Sequence, residues 1–284
     1  MRDIKRRKSS IQSTQQITKA MKLVSTVKLQ KAKLHAEATD PYFSHMYQTV
    51  TSILAKSGNI NHPYLQSGAS DKIAVVVITS NRGLAGGYNA NVTKLITNNQ
   101  ELLPKDKVEV YCIGSKGRET LDRYGYTIKE DHSAIMEAPS YEDAAAVCAR
   151  VLDAFTRGEI GEIYLAYTHF KNTVVHVPQL MKLLPVEFSD EEIAAADDKL
   201  IMNYEPNVEE ALDLIIPKYV TSIFYGALVE ALASENGARM QAMDSATSNA
   251  EDMISDLSLK YNRARQGSIT QELTEIIAGA EAIS

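Results

Sequence analysis

Two stretches at opposite ends of the chain repeat apolar or small residues every three to four positions, and the stretch between them does not. From Asn207 to Ser284, Ala233, Met240, Met243, Thr247, Ala250, Ile254, Leu257, Tyr261 and Ala264 fall on one helical stripe. These 78 residues hold a single proline, Pro217, and four glycines. An unbroken helix of that length would run on the order of 110 Å at about 1.5 Å per residue. From Asp3 to Ser57 there is no glycine and one proline, Pro41. Here Ile17, Ala20, Val24, Val27, Leu34 and Ala38 mark a stripe, which Tyr42, Phe43, Met46, Val50, Ile53 and Leu54 continue. Asp40-Pro41 marks either a kink or the first turn of a fresh helix, and Pro217 poses the same choice. The loop Gly58 to Asp71, rich in Asn, Pro and Gly, ends the first pattern.

The middle of the chain changes period. Ile73 to Ser80 (IAVVVITS) is a continuous β-branched run of the kind buried on both faces of a sheet. The glycine-rich turn Ser80 to Gly87 follows, then a helical pattern from Asn89 to about Gln100. Lys107 to Gly114 reads as a second strand, Ser115 to Tyr124 as a short helix, and Tyr141 to Arg157 as an alanine-rich helix. Glu162 to Phe170 and Thr173 to Val177 read as strands joined at Lys171-Asn172, with Leu183 to Phe188 a further candidate; Ser189 to Lys199 reads as a loop. Strands alternating with helices predict a Rossmann-like α/β domain, mostly parallel with an antiparallel edge.

The predicted class is therefore α/β plus coiled coil: residues 1–57 and 207–284 as the two helices of an antiparallel coiled coil, and 58–206 as the α/β domain. The last helix outruns its partner by about 20 residues, taking helix lengths at ~1.5 Å per residue. That surplus still carries Ile269, Leu273, Ile276, Ile277 and Ala280. An isolated helix exposing such a patch implies a sleeve of other subunits around it.

Composition narrows the class. With 44% hydrophobic and 23% charged residues the chain can bury a core. No apolar run approaches the ~20 residues of a membrane span, and Met1 to Lys8 has neither a signal-peptide core nor a sustained transit pattern, which predicts a cytosolic or membrane-peripheral protein. The net charge of −6 hides segregation: Arg2 to Lys33 has ten Lys or Arg against one Asp, while Glu187 to Asp213 has ten acids against one Lys. Without interleaved aromatics or a docking motif, the basic helix fits acidic protein partners at least as well as nucleic acid. Cys112 and Cys148 stand in apolar surroundings far from any metal spacing, and read as buried free thiols.

No catalytic constellation is visible. The six histidines form no H-E-x-x-H or i, i+4 pair, and no G-x-S-x-G occurs. His169 and His176 flank a turn, but two strand-surface histidines seldom make a metal site. Gly83, Gly86 and Gly87 lie where an α/β fold would cradle a phosphate, yet match neither G-x-G-x-x-G nor a P-loop. The alternative is a nucleotide-binding α/β protein with a coiled-coil interaction arm. Neither a cofactor nor a metal is predicted. Arg265, Gln266, Thr270, Glu272 and Thr274 crowd the last helix where its partner runs out, the pattern of a polar contact to an encircling protein.

Five segments, Ile11 to Met21, Ser80 to Gly87, Ile113 to Gly117, Tyr204 to Pro206 and Tyr261 to Ile276, together resemble the gamma subunit of F-type ATP synthases. Ile11 to Met21 looks like that family's N-terminal signature, and Ser80-Asn-Arg-Gly-Leu-Ala-Gly-Gly87 its central turn. Ile113 to Gly117 is similar to its second strand end, Tyr204-Glu-Pro206 to the start of its last helix, and Tyr261 to Ile276 to its C-terminal signature. The resemblance implies a non-catalytic rotor shaft standing inside a hexamer of three alpha and three beta subunits, with the α/β domain against the c ring and the epsilon subunit. It implies hexamer contacts at Met21, Lys22, Arg82, Arg265, Gln266, Thr270, Glu272 and Thr274, c-ring contacts at Tyr204 and Glu205, no nucleic acid and no membrane insertion. The complex would lie on the cytoplasmic face of the cell membrane. Ala85 stands where the family often has Cys, and Ser189 to Met202 lacks the cysteine pair of redox-switched members, which points to a bacterial type.

Overall fold

Ile73–Ile78 (β1), buried at every position, is the central strand of a five-stranded sheet. The computed structural model describes residues 1–57, 62–187 and 207–281. Val108–Ile113 (β2) and Glu162–Phe170 (β4) flank β1 in parallel, and Thr127–Asp131 (β3) adds to β2 in parallel. His176–Leu184 (β5) closes the opposite edge antiparallel to β4, giving the order β3-β2-β1-β4-β5. Helices Tyr88–Thr97 (α2), Ser115–Arg123 (α3) and Tyr141–Thr156 (α4) intervene. Two long helices, Arg2–Ser57 (α1) and Val208–Glu281 (α5), continue through Pro41 and Pro217.

Contacts divide the chain into two units, Met1–Ser25 with Arg239–Ser284, and Thr26–Ala238. In the larger unit the pleat sends Val75 and Val77 to one face, against Val92 and Ile96 of α2 and Leu121 of α3. Ala74, Val76 and Ile78 face the other way, into a layer shared by Val147 and Val151 of α4, Val50 and Ile53 of α1, and Phe224 and Leu228 of α5. Both faces are covered, which is why β1 reads as an uninterrupted apolar run. Within this unit the second layer joins the end of α1 and the first turns of α5 to the sheet.

The smaller unit is a two-helix pair. The Gln15 amide donates to the Glu251 carboxylate (3.0 Å), the Thr18 and Thr247 hydroxyls meet at 2.8 Å, and Lys22 Nζ reaches Asp244 at 2.5 Å. This is antiparallel pairing. On α5 the seam runs through Met243, Thr247, Ala250, Ile254, Leu257, Tyr261 and Ala264, the stripe the sequence predicts.

On α1 the expected stripe is the wrong one. Ile17, Val24, Val27 and Leu34 are 56–68% exposed, and the covered positions of α1 in the small unit are Ile4, Lys8, Ile11, Gln15, Thr18, Lys22 and Ser25, with Met21 half-buried beside them. In the larger unit Leu29, Ala32, Ala36, Thr39, Phe43, Met46, Val50 and Ile53 keep the same alternation of three and four. That alternation is a strict coiled-coil period.

Three further expectations need amendment. The strand expected at Thr173 to Val177 is a turn followed by β5, which absorbs the separate candidate at Leu183; Phe188 lies outside the described residues. Pro178 can sit inside β5 because that strand is an edge. The sequence reading did not identify β3, whose TIKED alternates exposed and half-buried positions. Finally, α5 contains a window long and apolar enough to cross a membrane, but 61% of it is buried in the protein, so it reads as a core helix.

Candidate functional site

The register of the small unit decides what the end of α5 can touch. Lys22 faces Asp244, Thr18 faces Thr247 and Gln15 faces Glu251. Carried back to Met1 at ~1.5 Å per residue in both helices, that register ends near Arg265. Beyond Ser268 every described side chain is exposed, including Ile269 (48%), Leu273 (56%), Ile276 (68%) and Ile277 (59%). At about 100° per residue these four make one stripe, while the seam positions would continue through Ser268, Gln271 and Glu275, more than 90° away. The apolar tip is therefore not an unused length of coiled-coil seam. It is built for a different neighbour.

The polar candidates border that stripe. Arg265 and Glu272 fall along one margin and Thr270 and Thr274 along the other, with Gln266 at the near end of the stripe itself, by the same ~100° step. All five are exposed. The hydroxyls of Thr270 and Thr274 donate to the carbonyls of Gln266 and Thr270 at 2.9 Å, which fixes their rotamers and leaves lone pairs outward. An apolar stripe with charges and hydroxyls at its margins has the anatomy of an interface core and rim.

The structure puts Met21 and Lys22 beside α5. Met21 is half-buried, and Lys22 occupies a seam position with its ammonium on Asp244. Sequence reasoning missed the outward face of α1, where Ile17, Leu23, Val24, Val27 and Leu34 stand exposed among Lys19, Lys28 and Lys31. The signal for it was present: two apolar stripes compete along α1, and only one can face the seam.

At the C-terminal edge of the sheet, where an α/β fold would take a ligand, the protein's own groups fill the donors. Thr79 Oγ1 accepts from Gly117 N (2.9 Å) and Asn81 Oδ1 from Ser115 N (3.0 Å), occupying the first turn of α3. A Cβ at Gly114 would lie 2.0 Å from the Thr79 carbonyl, so this approach admits only glycine, at φ +100°. Asn89 Oδ1 takes the Ser80 amide (2.9 Å), and the Tyr88 hydroxyl donates to the Ala231 carbonyl (3.1 Å). The glycines thus build a sharp turn closed by side chains, with Arg82 on its exposed rim. Tyr204 and Glu205 lie outside the described residues.

Burial pushes both thiols, Cys112 and Cys148, up to about 12, so neither supplies a thiolate at neutral pH. His169 pairs with Glu230 at 2.7 Å, and burial holds the His176 imidazole below its usual range, where it packs against Gly237 as a neutral ring. Among the described residues no group of three or more His, Cys, Asp or Glu stands ready to hold a metal.

A family model described as ATP synthase matches residues 1–283. The ATP synthase gamma chain of Lachnoclostridium phytofermentans is 66% identical over 290 residues, covering 100% of this chain and 99% of that one. Among solved structures, a chain in the central stalk and c ring of the Tetrahymena thermophila mitochondrial ATP synthase is 25% identical with a TM-score of 0.57, covering 81% of this chain and 99% of that one. A chain of the Euglena gracilis mitochondrial ATP synthase (OSCP/F1/c-ring, rotational state 3) shares the fold at 18% identity, with a TM-score of 0.70 and 99% and 94% coverage. With a full-length relative at this identity and a family model spanning nearly every residue, the chain belongs to the ATP synthase gamma-chain family.

Proposed function

We propose that this chain is the central rotor shaft of a bacterial F-type ATP synthase, turned by an ion-driven c ring and driving the three beta-subunit sites of an α3β3 hexamer through their conformations in sequence. The observation that carries this reading is the tip of α5. Its exposed apolar stripe lies off the coiled-coil seam and beyond the register of α1, so it needs a cover that the described chain does not provide. A hexamer closing around it supplies that cover, with Arg265, Gln266, Thr270, Glu272 and Thr274 as the polar contacts at its margin.

The outward apolar and lysine-rich face of α1, including the neighbourhood of Met21 and Lys22, meets the same hexamer lower down, and Arg82 faces it from the sheet edge. Lysine suits a moving contact because it is a flexible point charge and does not form a bidentate lock. The α/β domain, 58–206, is the foot, bearing on the epsilon subunit and, through Tyr204 and Glu205, on the c ring. ATP is made or cleaved on the beta subunits, and this chain contributes no catalytic group. The complex sits on the cytoplasmic face of the cell membrane, with this chain peripheral to the bilayer.

The test is stoichiometry. Affinity purification through a tag on this chain is expected to bring down alpha and beta subunits at three of each per copy. A chain that purifies alone, or that binds nucleotide in equilibrium dialysis with no subunits attached, would overturn the reading.

A further inference from the structure

The hairpin between β4 and β5 extends beyond the sheet that supports it. Pairing of β1 with β4 ends at Val77–Ala166, yet β4 continues to Phe170 with β5 as its partner strand. Four further residues at ~3.3 Å each carry it about 13 Å past the end of β1. There α5, in the same unit, takes over as its support. Glu230, Ser234 and Gly237 are spaced four and three apart, on one face of the helix. His169 Nδ1 pairs with the Glu230 carboxylate at 2.7 Å, and the Ser234 hydroxyl donates to the Thr168 carbonyl (3.2 Å). At Gly237 there is no side chain, and the His176 ring occupies the space a Cβ would take.

This clasp holds its two imidazoles in opposite surroundings. A proton on His169 faces a carboxylate; a proton on His176 faces none. Nε2 of His176 is buried without a hydrogen-bond partner, against helix backbone and with the Phe170 ring beside it (centroids 5.9 Å apart). Glu230 is engaged by His169 and lies about 10 Å back along α5 from Gly237, at ~1.5 Å per residue. Glu235 and Arg239 lie about 160° around the helix from Gly237, at ~100° per residue. On the hairpin itself the nearest further charge is Lys171, a cation, exposed at the tip. Burial accordingly holds the His176 imidazole below its ordinary range.

We propose that His176 is an acid-sensitive latch: a proton on its ring expels it from the Gly237 seat and frees the start of β5 from α5, while His169 and Glu230 keep β4 attached. Seated, the ring stays neutral; released into water, it takes a proton with the ordinary imidazole pKa of about 6.5. Seating is therefore fully favoured above that value and weakens as pH falls through it, down to the lower pKa of the seated ring. For one proton the released fraction rises by up to about fourfold between pH 7.5 and pH 6.0. The latch is internal to this chain and stands apart from the rotor reading.

Hydrogen exchange in the assembled complex tests it, as the rate over residues 168–177 at pH 6.0 relative to pH 7.5, corrected for the intrinsic pH dependence of amide exchange. The native chain is expected to show an acceleration of roughly two- to fourfold there and none over 108–113. His176→Phe, a ring with no nitrogen to titrate, is expected to abolish the acceleration, and His169→Gln to retain it. If the phenylalanine strips the hairpin of protection at both pH values, exchange of the His176 C2 hydrogen in the native chain decides instead, and is expected to report titration below about 6.5. No acceleration in the native chain, an equal acceleration in His176→Phe, or a His176 titration at or above the ordinary value would overturn the latch.

Discussion

Gly237 stands in the middle of α5, where glycine costs a helix about 1 kcal/mol relative to alanine. Its place is explained by His176. A Cβ at Gly237 would sit 2.4 Å from His176 Nε2, so the bare backbone is the seat of the imidazole that anchors the start of β5. The two effects oppose each other and can be separated. Gly237→Ala alone is expected to destabilise by about 1–3 kcal/mol, the range for overpacking. In a His176→Ala background the same change should turn stabilising, by up to about 1 kcal/mol of helix propensity. Urea denaturation of the four proteins checks the sign of the coupling; additive effects would mean that the ring does not depend on the glycine.

At the scale of the element, the α1–α5 pair in the small unit is held by an unusually polar seam. Thr18 is 8% exposed and meets Thr247 hydroxyl to hydroxyl, with Gln15 and Lys22 one turn away on either side. Buried polar partners of this kind select a register and lower stability relative to an all-apolar seam. Thr18→Val leaves the Thr247 hydroxyl without its cross-helix partner, at a cost of about 1 kcal/mol. It is expected to speed amide exchange across residues 15–22 and 244–251 by roughly fivefold, and adding Thr247→Val should recover most of that loss. No change in exchange for Thr18→Val would show that the pair does not hold the register.

That seam also explains what could be read from the sequence. The α5 stripe, β1, β2, α4 and β4 follow from apolar period alone, because each is covered by a contiguous core. The phase of α1 did not, since the residues that face α5 in the small unit are Thr, Ser, Gln and Lys, and the more apolar side faces out. β5 was displaced by Pro178, and β3 was hidden by its charged, half-covered edge position. At the candidate site, the helix-length mismatch made the exposed tip legible. The turn of the stripe away from the seam, and the reach of the β4–β5 hairpin, depended on a register that only the folded pairs supply.

For the molecule as a whole, the features without internal explanation share one character. The tip of α5, the outward face of α1 and Leu84 in the turn after β1 all expose apolar groups on ordered backbone. Singly such exposure is ordinary, but repeated on rigid elements it marks surfaces made for partners. Family membership names the assembly, and within it this chain is the rotor shaft. Direct observation of motion is the most immediate test. Both native thiols are buried with pKa values near 12, so a single cysteine introduced at the exposed Glu101 can carry a fluorescent or bead label. In a surface-tethered complex supplied with ATP, the label is expected to rotate in one direction with three dwells per turn. A complex that hydrolyses ATP at full rate while the label stays fixed would contradict the account.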